Sequence, residues 1–166
     1  MTGGAIEIVL GPSSVGKSTF IVRHRPNATV VLASELGEDP WPTGPFVLHY
    51  NSFRPFRNQI AFSDRPLLHD PLLTELTASG RPMSVVYLHE TAATIAGRID
   101  AREFIEPDLS ERQRPYPGDS IRELVLGIDL DHHARTWVDF FERRSVPVTV
   151  FDHDTDEFRP CELPVH

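Results

Sequence analysis

Short apolar runs alternate along the chain with longer stretches in which apolar residues recur every three or four positions, and that alternation predicts the architecture. Residues 5–10 (AIEIVL) form a strand-like run closed by Gly11, and residues 17–24 carry helical spacing up to Pro26. A β-branched run at 29–32 follows. Next come a loop rich in Gly and Pro at 37–45 and a third expected strand at 45–50. Residues 67–79 have helical spacing and stop at Gly80, residues 83–89 read as a fourth strand, and 91–105 as a helix with Thr91 at its N-cap. From 120 to 144, Ile121, Leu124, Val125, Ile128, Trp137, Phe140 and Phe141 mark an amphipathic helix with a break near Gly127, and 146–151 is the fifth strand. Strands alternating with helices specify an α/β fold: an open, parallel five-stranded sheet with helices on both faces, in a single domain spanning 1–166.

Composition narrows what such a domain can do. At 40 % hydrophobic over 166 residues the chain can bury one core but is short for two. A net charge of −8 argues against a nucleic-acid polymer or an anionic membrane as partner, because both are bound by neutralising phosphates. The apolar run at 6–10 is too short for a signal sequence or a membrane span, so a soluble, cytoplasmic protein is expected. Cys161 is the only cysteine, which excludes an intrachain disulfide and a multi-cysteine zinc site. Among sixteen basic side chains, Lys17 is the only lysine. Arg is a planar fork and Lys a compact point charge, so the two do not substitute where an anion sits inside a tight backbone cradle.

Lys17 belongs to such a cradle. Residues 11–18 (GPSSVGKS) match G-x-x-x-x-G-K-[ST] and lie after a predicted strand and before a predicted helix, the context that separates a P-loop from a chance match. In a P-loop the backbone from Gly11 through Ser13, Ser14, Val15 and Gly16 points successive N–H groups at phosphate oxygens. Lys17 spans the β- and γ-phosphates, Ser18 offers its hydroxyl to Mg²⁺, and Thr19 continues the helix N-terminus.

With this loop, the length and the five strands taken together, the chain resembles a small P-loop kinase of the nucleoside monophosphate kinase, shikimate kinase and chloramphenicol phosphotransferase type. The resemblance implies an enzyme that moves the γ-phosphoryl group of ATP, or GTP, to a small hydroxylated metabolite, nucleoside or antibiotic with Mg²⁺. It leaves the acceptor and the oligomeric state open. Arg98-Ile-Asp-Ala-Arg102 resembles the R-x-x-x-R entry to the lid of nucleotide kinases, followed by Arg112 and Arg114, which implies a lid over 98–118. Arg98 and Arg102 stand at i and i+4 and project from one helix face, a geometry able to clamp charge developing on a transferring phosphoryl group. Their alternative is a solvated face pairing with Asp100, Glu103 and Glu106.

The segment 46–55 (FVLHYNSFRP) is similar in position to the third-strand motif of adenylate kinases, but the metal-supporting Asp is replaced by His49. A supporting carboxylate must then come from elsewhere, with Glu35 and Glu90 as candidates. The resemblance favours Glu35, as kinases of this type place a substrate-side acid there. Glu35 is also the first choice for the general base, with His49 and Asp64 as rivals. Residues 51–66 interleave Arg54, Arg57 and Asn58 with Phe53 and Phe56 and read as an irregular acceptor loop, in which Arg54 is the expected anchor for an anionic acceptor. The His132–His133 pair and the runs Asp152-His153-Asp154 and Asp156-Glu157 lack the convergent spacing of a metal site; the acidic run is expected to be a solvated turn. Two other classes remain: a nucleotide-driven ATPase or switch with no acceptor, disfavoured by the lack of an N-K-x-D segment, and a sulfotransferase-like protein, disfavoured by Gly16-Lys17-Ser18.

Overall fold

The computed structural model describes residues 3–33, 40–53, 70–105, 118–153 and 157–160, with the main chain alone at 102–105, 118–121 and 157–160. In chain order the elements are β1 (Ile6–Gly11), α1 (Lys17–His24), β2 (Val30–Leu32), β3 (Phe46–Asn51), α2 (Pro71–Ala78) and β4 (Met83–His89). They continue as α3 (Ala92–Ile105), α4 (Gly118–Gly127), α5 (Leu130–Glu142), β5 (Val148–Asp152) and β6 (Glu157–Pro160). The strands form one sheet in the order β2-β3-β1-β4-β5-β6. The first five run parallel, as the alternating pattern predicts. The sixth pairs antiparallel with β5, matching Phe151 to Phe158. It corrects the expectation of a solvated turn for part of the acidic run, since Glu157 opens a strand.

Both faces of the sheet are covered, so its strands read as nearly continuous apolar runs. On one face Ile6, Ile8, Leu10, Leu48 and Tyr87 pack with Leu73 and Leu76 of α2 and Trp137 and Phe141 of α5. On the other Val9, Val47, Val86 and Leu88 pack with Phe20 of α1, Ile95 and Ile99 of α3, and Val125 of α4.

Local chemistry sets the helix ends. Asp70 accepts a hydrogen bond from the Leu72 amide at 3.0 Å and Pro71 stands first in α2, a favoured cap and opening pair. Tyr50 donates its phenol to the same carboxylate, tying the cap of α2 to β3. Thr91 Oγ1 accepts from the Thr94 amide at 3.2 Å, as its expected capping role requires. The long amphipathic segment divides into α4 and α5 just after Gly127, where Asp129 accepts from the His132 amide at 2.9 Å and starts a new helix. At the N-terminal edge of the sheet Arg81 binds the carbonyls of Gly4, Pro42 and Gly44, each at 2.7 Å, and lies over the Phe46 ring. Among the described residues no helix is long and apolar enough to cross a membrane.

Candidate functional site

The loop from Gly11 to Ser18 leaves the C-terminal end of β1, which lies between β3 and β4, where open α/β sheets hold their ligands. Its course depends on glycine at two places. A β-carbon on Gly11 would stand 2.9 Å from Val15 Cγ1 and 3.0 Å from the Leu88 carbonyl oxygen, so the loop packs on β4 only without one. Gly16 has φ of 101°, in the left-handed region, and Ser14 joins it there with φ of 61°. These two residues flank the buried Val15. Left-handed residues of this kind turn neighbouring amides inward to form an anion-binding concavity.

Helix α1 adds its own field. It begins at Gly16 with no side-chain cap, so the amides of its first turn have no capping side-chain acceptor, and its N-terminus carries partial positive charge. Lys17 is 5 % exposed, and its Nζ donates to the carbonyls of Gly11 at 3.0 Å and Pro12 at 2.6 Å. Ser18 and Thr19 lie exposed beside it. Uncapped amides, a helix terminus and a confined ammonium at one point make a cradle whose donor set fits a chain of phosphates.

His49 approaches this cradle from β3, where it pairs with Val9 of β1 and Leu32 of β2. Its Nε2 stands 3.3 Å from Ser18 Oγ. Burial and the nearby Lys17 charge push the imidazole down to about 4, so it is neutral at physiological pH and a weak base.

Arg98 reaches the cradle from α3. One arm of its guanidinium donates to the Val15 carbonyl at 2.9 Å and another to Glu90 Oε2 at 3.1 Å. Glu90 is buried and also accepts from the Thr91 amide at 2.9 Å. The arginine therefore braces the loop from behind, and its partner is neither Asp100, which pairs with Arg122, nor a solvated face. Glu90, a candidate metal-supporting acid from sequence, is engaged by these two donors. His153, just after β5, adds a ring that a β-carbon on Gly16 would meet at 3.3 Å.

On the opposite face of the sheet a polar group links the loop to α5. The Ser52 amide donates to the Gly11 carbonyl at 2.9 Å, and Ser52 Oγ lies 2.8 Å from His133 Nε2. Burial, assisted by the neighbouring His132, pushes His133 down to about 3. Burial raises the pKa of the Tyr87 phenol far above its ordinary value, and a hydrogen bond with Ser52 offsets part of that rise. Nearby, His89 at the end of β4 holds Asp131 of α5 at 2.8 Å, with both side chains part-exposed.

Of the residues singled out from sequence, the structure brings together Gly11, Ser13, Ser14, Val15, Gly16, Lys17, Ser18 and Thr19 with His49 and Arg98. Glu35, Arg54, Arg57, Asp64, Arg112 and Arg114 lie outside the described residues, and Arg102 belongs to α3 with its side chain undescribed. Sequence reasoning passed over the Arg98–Glu90 brace and the His89–Asp131 pair, and weighed His153 only as part of a metal site. The one advance signal was the position of Glu90, His89 and His153 at strand C-terminal ends. An open groove of about 440 Å³ at the other end of the strands, lined in part by Glu7, Asn27 and Ser84, lies away from the loop; Glu7, the only acid among its described lining residues, is paired with Arg25 at 2.7 Å.

No protein-family model and no curated protein matches the chain. Among solved structures it is similar to a gluconokinase from Sinorhizobium meliloti 1021, at 14 % identity over 86 % of this chain and 99 % of that one, with a TM-score of 0.34. A superposition this loose carries no argument, and the α/β architecture rests on the strand order and on the loop that follows β1.

Proposed function

We propose that the chain is a small-molecule kinase that binds ATP, or GTP, with a divalent cation at the Gly11–Ser18 loop and passes the terminal phosphoryl group to a small hydroxylated acceptor. One observation carries this reading. The chain's only lysine is held at the mouth of a loop with two left-handed residues, at the start of a helix whose first amides have no capping side chain. A bound triphosphate would supply the transferable group and its metal the charge neutralisation.

The chain's own residues supply the rest. Main-chain amides from 13 to 18 hold phosphate oxygens, and Lys17 swings from the Gly11 and Pro12 carbonyls to neutralise charge developing during transfer. Arg98 keeps the loop in shape through Val15 rather than reaching outward as a clamp. The weak basicity of His49 turns the choice of acceptor-side base toward Glu35, with Asp64 next. The lid 98–118 is assigned on the sequence resemblance, and the acceptor loop 51–66 on its interleaved Arg, Asn and Phe residues.

Nucleotide turnover tests the proposal. ADP should be released from ATP only when a hydroxylated acceptor is added, in a screen of nucleosides, sugars and aminoglycoside-like compounds. Equal hydrolysis with and without acceptor would favour an ATPase or switch, and failure to bind any nucleoside triphosphate would reject the phosphate-binding reading.

A further inference from the structure

The contact between Ser18 and His49 joins two unlike ligand atoms at the edge of the phosphate cradle. Ser18 Oγ opens the exposed side of α1, His49 Nε2 arrives from β3, and they stand 3.3 Å apart. Two neighbouring ligands of an octahedral ion with bonds of about 2.1–2.2 Å are separated by roughly 3.0–3.1 Å, so an ion can enter between them after a shift of a few tenths of an ångström. With the ring proton on Nδ1, the Nε2 lone pair faces Ser18 Oγ and is available to an ion. Among the described residues no carboxylate is hydrogen-bonded to either atom.

A hydroxyl and an imidazole form a donor pair different from a hydroxyl and a carboxylate. Mg²⁺ is a hard ion that takes oxygen ligands and sheds water reluctantly, whereas imidazole suits borderline transition ions. We propose that Ser18 Oγ and His49 Nε2 are adjacent ligands of a single divalent cation, and that the site takes a first-row transition ion such as Mn²⁺ or Co²⁺, which accepts an imidazole ligand more readily, in preference to Mg²⁺. The proposal rests on the phosphate-binding reading, since a bound nucleotide and water complete the coordination. His49 then serves the metal and not the acceptor.

Electron spin-echo spectroscopy of Mn²⁺ with ADP and the intact chain reads the bond directly. The expected result is nitrogen modulation from a coordinated imidazole, changing from the ¹⁴N to the ¹⁵N pattern when the protein is made with ¹⁵N-histidine. That labelling needs no substitution and so does not depend on a variant's folding. Calorimetry should give ADP binding at least about tenfold tighter with Mn²⁺ than with Mg²⁺, a preference that His49→Asp reduces or reverses. Tight Mn²⁺–ADP binding without histidine modulation would overturn the proposal and leave the phosphate-binding reading standing. Absence of ADP binding with either metal would overturn both.

Discussion

Arg98 donates to the carbonyl of Val15 at 2.9 Å, across a sequence separation of 83 residues. The bond joins α3 to the middle of the Gly11–Ser18 loop. Glu90 fixes the same guanidinium from β4's end, so the loop's shape depends on a buried carboxylate that need not touch a ligand.

That brace should be measurable as a coupling. Arg98→Met strands the Glu90 carboxylate, 2 % exposed, with the Thr91 amide as its remaining partner, and is expected to destabilise the fold by about 1–3 kcal/mol in urea titration. Glu90→Gln combined with Arg98→Met should cost less than the sum of the two single changes, by about 1 kcal/mol. Strict additivity would mean that the two side chains do not support one another.

Lys17→Ala should lower kcat/KM for the acceptor-dependent reaction by about 100-fold or more, because it removes the positive charge nearest the transferred group. Circular dichroism should be unchanged, since the hydrogen bonds from Lys17 to Gly11 and Pro12 lie within its own loop. Full activity in the variant would remove Lys17 from the mechanism.

Two glycines should respond in opposite directions to alanine. At Gly16, φ of 101° and the His153 ring 3.3 Å from the new methyl impose strain of about 1–2 kcal/mol and should abolish nucleotide binding. At Gly97, inside α3 with nothing within 4 Å of the added carbon, alanine should stabilise by about 0.5–1 kcal/mol. Thermal melts with and without ADP check both.

Acid should unfold the protein in part through His133. Its folded-state pKa is depressed to about 3 against an ordinary 6.5, so between those values the unfolded chain binds a proton the native chain refuses. Its contribution is constant above pH 6.5, and stability falls as pH drops toward 3 with a slope of about 1.4 kcal/mol per unit. Tyr87 faces the same serine, and His132 is the nearest other imidazole in sequence. His133→Asn should flatten the pH profile by about that slope, whatever its effect at neutral pH. An unchanged slope would show that His133 takes up its proton without unfolding.

The five parallel strands were legible because each is a short apolar run bounded by Gly, Pro or a polar turn. The turn from Gly11 to Ser18 was legible because its motif fixes both residue type and spacing between a strand and a helix. Strand β6 was not: Glu157, Arg159 and Pro160 carry no strand signal of their own, and pairing with β5 supplies it. The break before α5 was visible at Gly127, while the cap that completes it, Asp129, was hidden among other acids. Arg98 was recognised, but its partners were not, since Val15 and Glu90 meet it only after β1, β4 and α3 have assembled. His49 was recognised as a departure from the kinase pattern, and its partner Ser18 emerged only from the crossing of β3 with α1.

A solitary lysine tucked against two carbonyls also acts as a clock. Apart from the chain's terminal amine, an acylating reagent has no other primary amine to attack. It reacts only in the moments when Nζ leaves its shelter, so the labelling rate counts departures of that nitrogen, and its slowing upon ligand addition would time how long the mouth stays shut.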